Sequence, residues 1–107
     1  MGQEQLKQLL GALKKGLSDL YGSRLKGLYL FGSYARGTQE PESDLDVLIV
    51  LDDFKDYASE IDQTGKLVSD LSLQNDLLIS TVFVRESDWQ RGQNPFIRNI
   101  RQEVVAA

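Results

Sequence analysis

The run Val47-Leu48-Ile49-Val50-Leu51 is the longest uninterrupted apolar stretch in the chain, and it limits the available folds more than any other feature. A strand sends alternate side chains to opposite faces, so one that is apolar at every position must be covered on both. The stretch is far too short to span a bilayer. It predicts a central strand over Asp44–Leu51, inside a sheet with helices on both sides.

The flanking periodicities supply those helices. From Gln3 to Tyr21, Leu6, Leu9, Leu10, Leu13, Leu17, Leu20 and Tyr21 recur at helical spacing, with Gly22 as the stop. Gly11 and Gly16 each weaken that helix by about 1 kcal/mol relative to Ala, so it depends on packing. Leu25–Phe31 reads as a first strand, Ser33–Arg36 as a short helix closed by Gly37, and Thr38–Ser43 as a polar loop marked by Pro41. Tyr57, Ile61, Thr64, Val68 and Leu71 make a second helical stripe, and Leu77–Val84 reads as a third strand. Asn94-Pro95 has the form of a helix cap, followed by a third stripe, Phe96, Ile97, Ile100 and Val104, that either covers the core or meets a partner. The predicted class is α/β (α+β), a small mixed sheet packed with helices, in a single domain over residues 1–107.

Composition narrows the chemistry. With 12 Lys plus Arg against 16 Asp plus Glu, the net charge of -4 opposes stable nucleic-acid binding. Cys and His are both absent, which excludes disulfides, thiolate or imidazole metal sites, and Ser-His or Cys-His nucleophiles. Carboxylates are the remaining metal ligands. The N-terminus has no signal-peptide apolar core and no segment suits a membrane, so the chain reads as cytoplasmic.

The carboxylates that matter are Asp44 and Asp46, two apart at the start of the central strand. Both leave the same face, with Cα atoms about 6.7 Å apart at the usual strand rise, and can converge on Mg²⁺ or a pair of Mg²⁺ ions. Gly32-Ser33 ends the preceding strand, where backbone N–H groups and a hydroxyl can face a phosphate. Each half has an ordinary explanation: Gly-Ser as a turn and helix cap, Asp as a solvated strand boundary. Asp52 and Asp53 follow the far end of the strand, about 20 Å from Asp46, and read as a loop and helix start.

Gly-Ser, ten intervening residues, then Asp-x-Asp resembles the signature of the polymerase-beta-type nucleotidyltransferase superfamily, particularly its minimal single-domain prokaryotic members. The resemblance implies that fold, with transfer of a nucleoside monophosphate, usually AMP, from ATP or another nucleoside triphosphate to a hydroxyl. It implies Gly32 and Ser33 on the β- and γ-phosphates, Asp44 and Asp46 on two Mg²⁺ ions, and Arg36 either on the triphosphate or pairing with a carboxylate to hold the loop. Minimal members often accompany a small HEPN-type ribonuclease toxin and act as its antitoxin, by adenylylating it or by binding alone. The family's third carboxylate, which binds metal and accepts the acceptor's proton, falls by residue count on Ser80. Asp76 substitutes for it only in a different register.

Overall fold

The computed structural model describes residues 1–107. Helix α1 (Gln3–Tyr21) is followed by a single 3-10 turn, Gly22–Arg24, then strand β1 (Leu25–Phe31), the short helix α2 (Ser33–Arg36) and strand β2 (Leu45–Leu51). Next come α3 (Tyr57–Asn75), β3 (Ile79–Arg85), α4 (Glu86–Arg91), α5 (Pro95–Ile100) and the two-residue strand β4 (Val105–Ala106). The strands form one mixed sheet in the order β3-β2-β1-β4. β1 pairs antiparallel with β2 and with β4, and β2 pairs parallel with β3. No helix is long and apolar enough to cross a membrane.

The central position expected for the apolar run is what β2 occupies. Leu45, Val47, Ile49 and Leu51 join the larger core cluster with Leu9, Leu13 and Leu17 of α1 and Leu71 of α3. Leu48 and Val50 point the other way, into a smaller cluster with Ile100 of α5, flanked by Tyr29, Phe31, Val82, Val84, Trp89 and Phe96. Strand alternation therefore places Asp46 on the α5 face of the sheet.

Close packing of α1 on α3 explains Gly16. A Cβ there would lie 2.5 Å from a terminal carbon of Leu67, so the glycine that weakens α1 locally also lets the helices approach.

Several expectations change. The inward face of α3 is rotated: Glu60, Thr64 and Leu71 are buried, while Tyr57 and Ile61 are largely exposed. Glu60 is drawn inside because the Tyr21 hydroxyl donates a 2.8 Å hydrogen bond to its carboxylate. The third strand begins at Ile79, since Leu77 still donates its N–H to Ser72 in the end of α3, and Asp76 is the left-handed C-cap of that helix. The last helix stops at Ile100. Its stripe turns inward: Ile97 and Ile100 are buried, and Phe96 packs edge-on against Phe31 with ring centroids 5.6 Å apart.

Candidate active site

Gly32, Ser33, Arg36, Asp44 and Asp46 come together at one end of the sheet, where β1 runs out into α2 and β2 begins. The pairing of Phe31 with Asp46 sets Gly32 beside the Asp46 carboxylate. Gly32 has φ 74° and ψ -155°, a combination open essentially only to glycine. A Cβ at this position would collide with the Asp46 carboxylate. One residue thus supplies the sharp exit from β1 and the space for the acid. Its carbonyl accepts from the N–H groups of Ala35 and Arg36, both at 3.1 Å, which starts α2, and Gly37 closes the turn in the left-handed conformation.

Asp44 is exposed one residue before β2, whereas Asp46 is half-buried within it. Burial raises the Asp46 carboxyl above its ordinary range, and the charge of Asp44 raises it further. Arg36 opposes that rise and Glu103 adds to it. Like charges held close favour a cation between them. The donor set is two carboxylates with no imidazole or thiolate in the chain, which suits a hard ion such as Mg²⁺ that takes one or two carboxylates and completes its shell with phosphate oxygens and water. No group of three or more Asp, Glu, His or Cys side chains lies close enough to hold a metal alone. The residues fit a cation shared with a phosphorylated substrate rather than a closed structural site.

The parallel register places Ser80 directly beside Asp46. Ser80, the position counted for a third acid, is thus the cross-strand neighbour of Asp46. Asp76, capping α3 outside the strand, does not substitute for it. The more distant Asp52 and Asp53 lie in the loop after β2 as expected, but they do not start the helix, which Asp56 caps. Asp52 pairs with Arg24 at 3.1 Å, and Asp53 pairs with Arg85 at 2.9 Å while accepting from Phe54 N–H.

The Arg36 guanidinium pairs with a carboxylate here, as one of its two expected roles has it. The partner is Glu103, in the turn between α5 and β4, which sequence reasoning missed. One oxygen of Glu103 accepts from the Gly32 N–H at 2.7 Å and from the Arg36 guanidinium at 3.0 Å. No local signal marks this residue: Glu103 is 71 positions from Gly32, and only the completed sheet brings them together.

A family model described as the nucleotidyltransferase domain matches residues 10–104. A Methanocaldococcus jannaschii protein named as a candidate protein adenylyltransferase is 34% identical over 103 residues, covering 94% of this chain and 92% of its own. The protein adenylyltransferase MntA of Thermococcus cleftensis is 32% identical over 78 residues, covering 73% and 77%. Among solved structures, a toxin–antitoxin crystal structure with AMP-PNP superposes with a TM-score of 0.62 at 25% identity, covering 90% of this chain and 69% of that one.

Proposed function

Because this chain belongs to the nucleotidyltransferase domain family, we propose that it transfers AMP from ATP to a hydroxyl of a partner protein, a HEPN-type ribonuclease toxin for which it serves as antitoxin. The observation that carries the reading is the Asp46 carboxylate against the Gly32 turn, with the Arg36 guanidinium held at the same turn and Asp44 near enough for its charge to act on Asp46. The relatives named as protein adenylyltransferases support a protein acceptor. The toxin–antitoxin neighbour with an ATP analogue supports both the nucleotide and the class of partner.

In this reading Gly32 N–H, Ser33 and Arg36 bind the β- and γ-phosphates, and Asp44 and Asp46 hold Mg²⁺. Bound Mg²⁺ would offset the charge gathering on the triphosphate. The acceptor hydroxyl attacks the α-phosphorus, forming a new P–O bond as the bond to pyrophosphate breaks. Ser80 cannot take the hydroxyl proton at neutral pH, so that proton leaves to water or to a group on the partner. Loss of a positioned base lowers rate by roughly 10²–10⁴-fold while metal and positioning effects remain. Ser80 is also what favours the second reading, a protein that neutralises its partner by binding alone.

The deciding experiment incubates the chain with labelled ATP, Mg²⁺ and the product of the adjacent gene. Label on the partner, lost in Asp44→Asn with Asp46→Asn, supports transfer. A tight complex without label supports binding alone.

A further inference from the structure

Glu103 has no part in the reaction just described, yet it makes the shortest hydrogen bond to the Gly32 turn. A single carboxylate oxygen receives both the Gly32 N–H, at 2.7 Å, and the Arg36 guanidinium, at 3.0 Å. A phosphate oxygen would take the same pair of donors in the same way, because a backbone amide and a guanidinium converging on one anionic oxygen recognise charge and position rather than carbon or phosphorus. We propose that Glu103 is a built-in competitor for the nucleotide: its carboxylate occupies the phosphate donors, and the polyphosphate of a nucleoside triphosphate must displace it to bind.

The inference rests on the proposed nucleotide site and adds a gate to it. Three features make the contact a gate rather than a permanent brace. The Glu103 side chain retains 25% of its exposure, and that of Arg36 retains 51%, so water can replace either bond when the carboxylate swings away. Glu103 itself lies in the turn between α5 and β4, so its side chain can swing without breaking the pairing of Val105 with Leu30 and Ala106 with Tyr29 or the bond from the Ala107 N–H to the Leu28 carbonyl. Finally, Glu103 adds a negative charge to an end of the sheet that already carries Asp44 and Asp46. A triphosphate arriving there meets that charge directly, so carboxylate and phosphate exclude one another.

The test is calorimetric titration of the full chain with Mg²⁺–AMP-PNP and, separately, with AMP, for wild type, Glu103→Gln and Glu103→Asp. Glu103→Gln removes the charge, and Glu103→Asp keeps it while shortening the reach by one methylene. Both are expected to tighten Mg²⁺–AMP-PNP by about tenfold, the worth of one charge-assisted hydrogen bond, and to leave AMP, which lacks the β- and γ-phosphates, unchanged. Unaltered or weaker AMP-PNP binding in both variants overturns the inference and leaves the nucleotide site standing, as weaker binding would make Glu103 a supporting or metal-binding residue. Tightening in Glu103→Gln alone, or equal tightening of AMP, reports only the lost charge and also overturns it. Absence of AMP-PNP binding in all three proteins overturns the nucleotide site and the gate together. Thermal melts of the same samples separate unfolding from each of these results.

Discussion

Gly32 combines a backbone conformation and a neighbour that no other residue tolerates. Gly32→Ala is expected to cost about 1–3 kcal/mol for the glycine-only conformation, and the added methyl must also push the Asp46 carboxylate aside. The melting midpoint should fall, and Mg²⁺-nucleotide affinity should fall with it, whereas Gly11→Ala, open to solvent in mid-helix, should stabilise. A second residue-level prediction concerns Tyr21. Burial first, then the hydrogen bond and charge of Glu60, raise its hydroxyl pKa well above the ordinary value. The native state therefore holds this proton more tightly than the unfolded chain. The resulting stability is complete below the unfolded value of about 10 and is lost as pH rises beyond it. Tyr21→Phe should abolish that alkaline dependence in melts above pH 10. At neutral pH it should destabilise by roughly 1–3 kcal/mol, because the Glu60 carboxylate stays buried without its donor. Pairing it with Glu60→Leu should recover much of the loss.

Among the elements, α5 decides whether the third apolar stripe covers the core or serves a partner. Ile97 is fully buried and Ile100 nearly so, so Ile97→Ala is expected to cost about 2–5 kcal/mol. Circular dichroism melts of the isolated chain check it; an unchanged midpoint would mean that the stripe is not core. Local periodicity made much of the remaining architecture legible: α1, β1 and α2 occupy the predicted residues, each bounded by a glycine or a change of period. The pairing of β3 was not legible: the residue count singled out Ser80 on its own strand, and only the parallel register of the folded sheet sets it beside Asp46. What escaped depends on distant partners. Tyr21 selects which face of α3 turns inward. The segment after Ile100 leaves the helical path to pair with β1, where Val105 and Ala106 meet Leu30 and Tyr29. Glu103 reaches the site through that pairing, and nothing in its own neighbourhood in the sequence foretells it.

The molecule as a whole separates its stability from its charge. Two apolar layers enclose β2, while the acidic groups gather at the end of the sheet where β2 begins, so the fold carries an electrostatic cost there that a cation would relieve. The sign follows from Asp46. Its folded-state pKa is raised, so the protonated form favours folding below the usual carboxylate range, and that contribution is lost as pH rises through the raised value. At neutral pH without metal, Asp46→Asn should therefore raise the melting midpoint, with the gain vanishing in acid. Mg²⁺-ATP should stabilise only a protein that keeps the acidic pair: bound to the native state alone, it stabilises by about 2.7 kcal/mol at 100 times its dissociation constant. For a domain near this size that corresponds to roughly 4–8 °C per kcal/mol. Wild type is expected to show the upward shift, and Asp44→Asn with Asp46→Asn to melt at one temperature with or without Mg²⁺-ATP. Ser80→Asp is the converse case. A third carboxylate beside Asp46 should lower the metal-free midpoint, enlarge the shift produced by Mg²⁺-ATP, and speed transfer by supplying the missing base. Scanning melts with and without Mg²⁺-ATP read the first two effects, and labelled transfer reads the third. An equal shift in the wild type and the Asp44→Asn, Asp46→Asn protein would remove the acidic pair from the site.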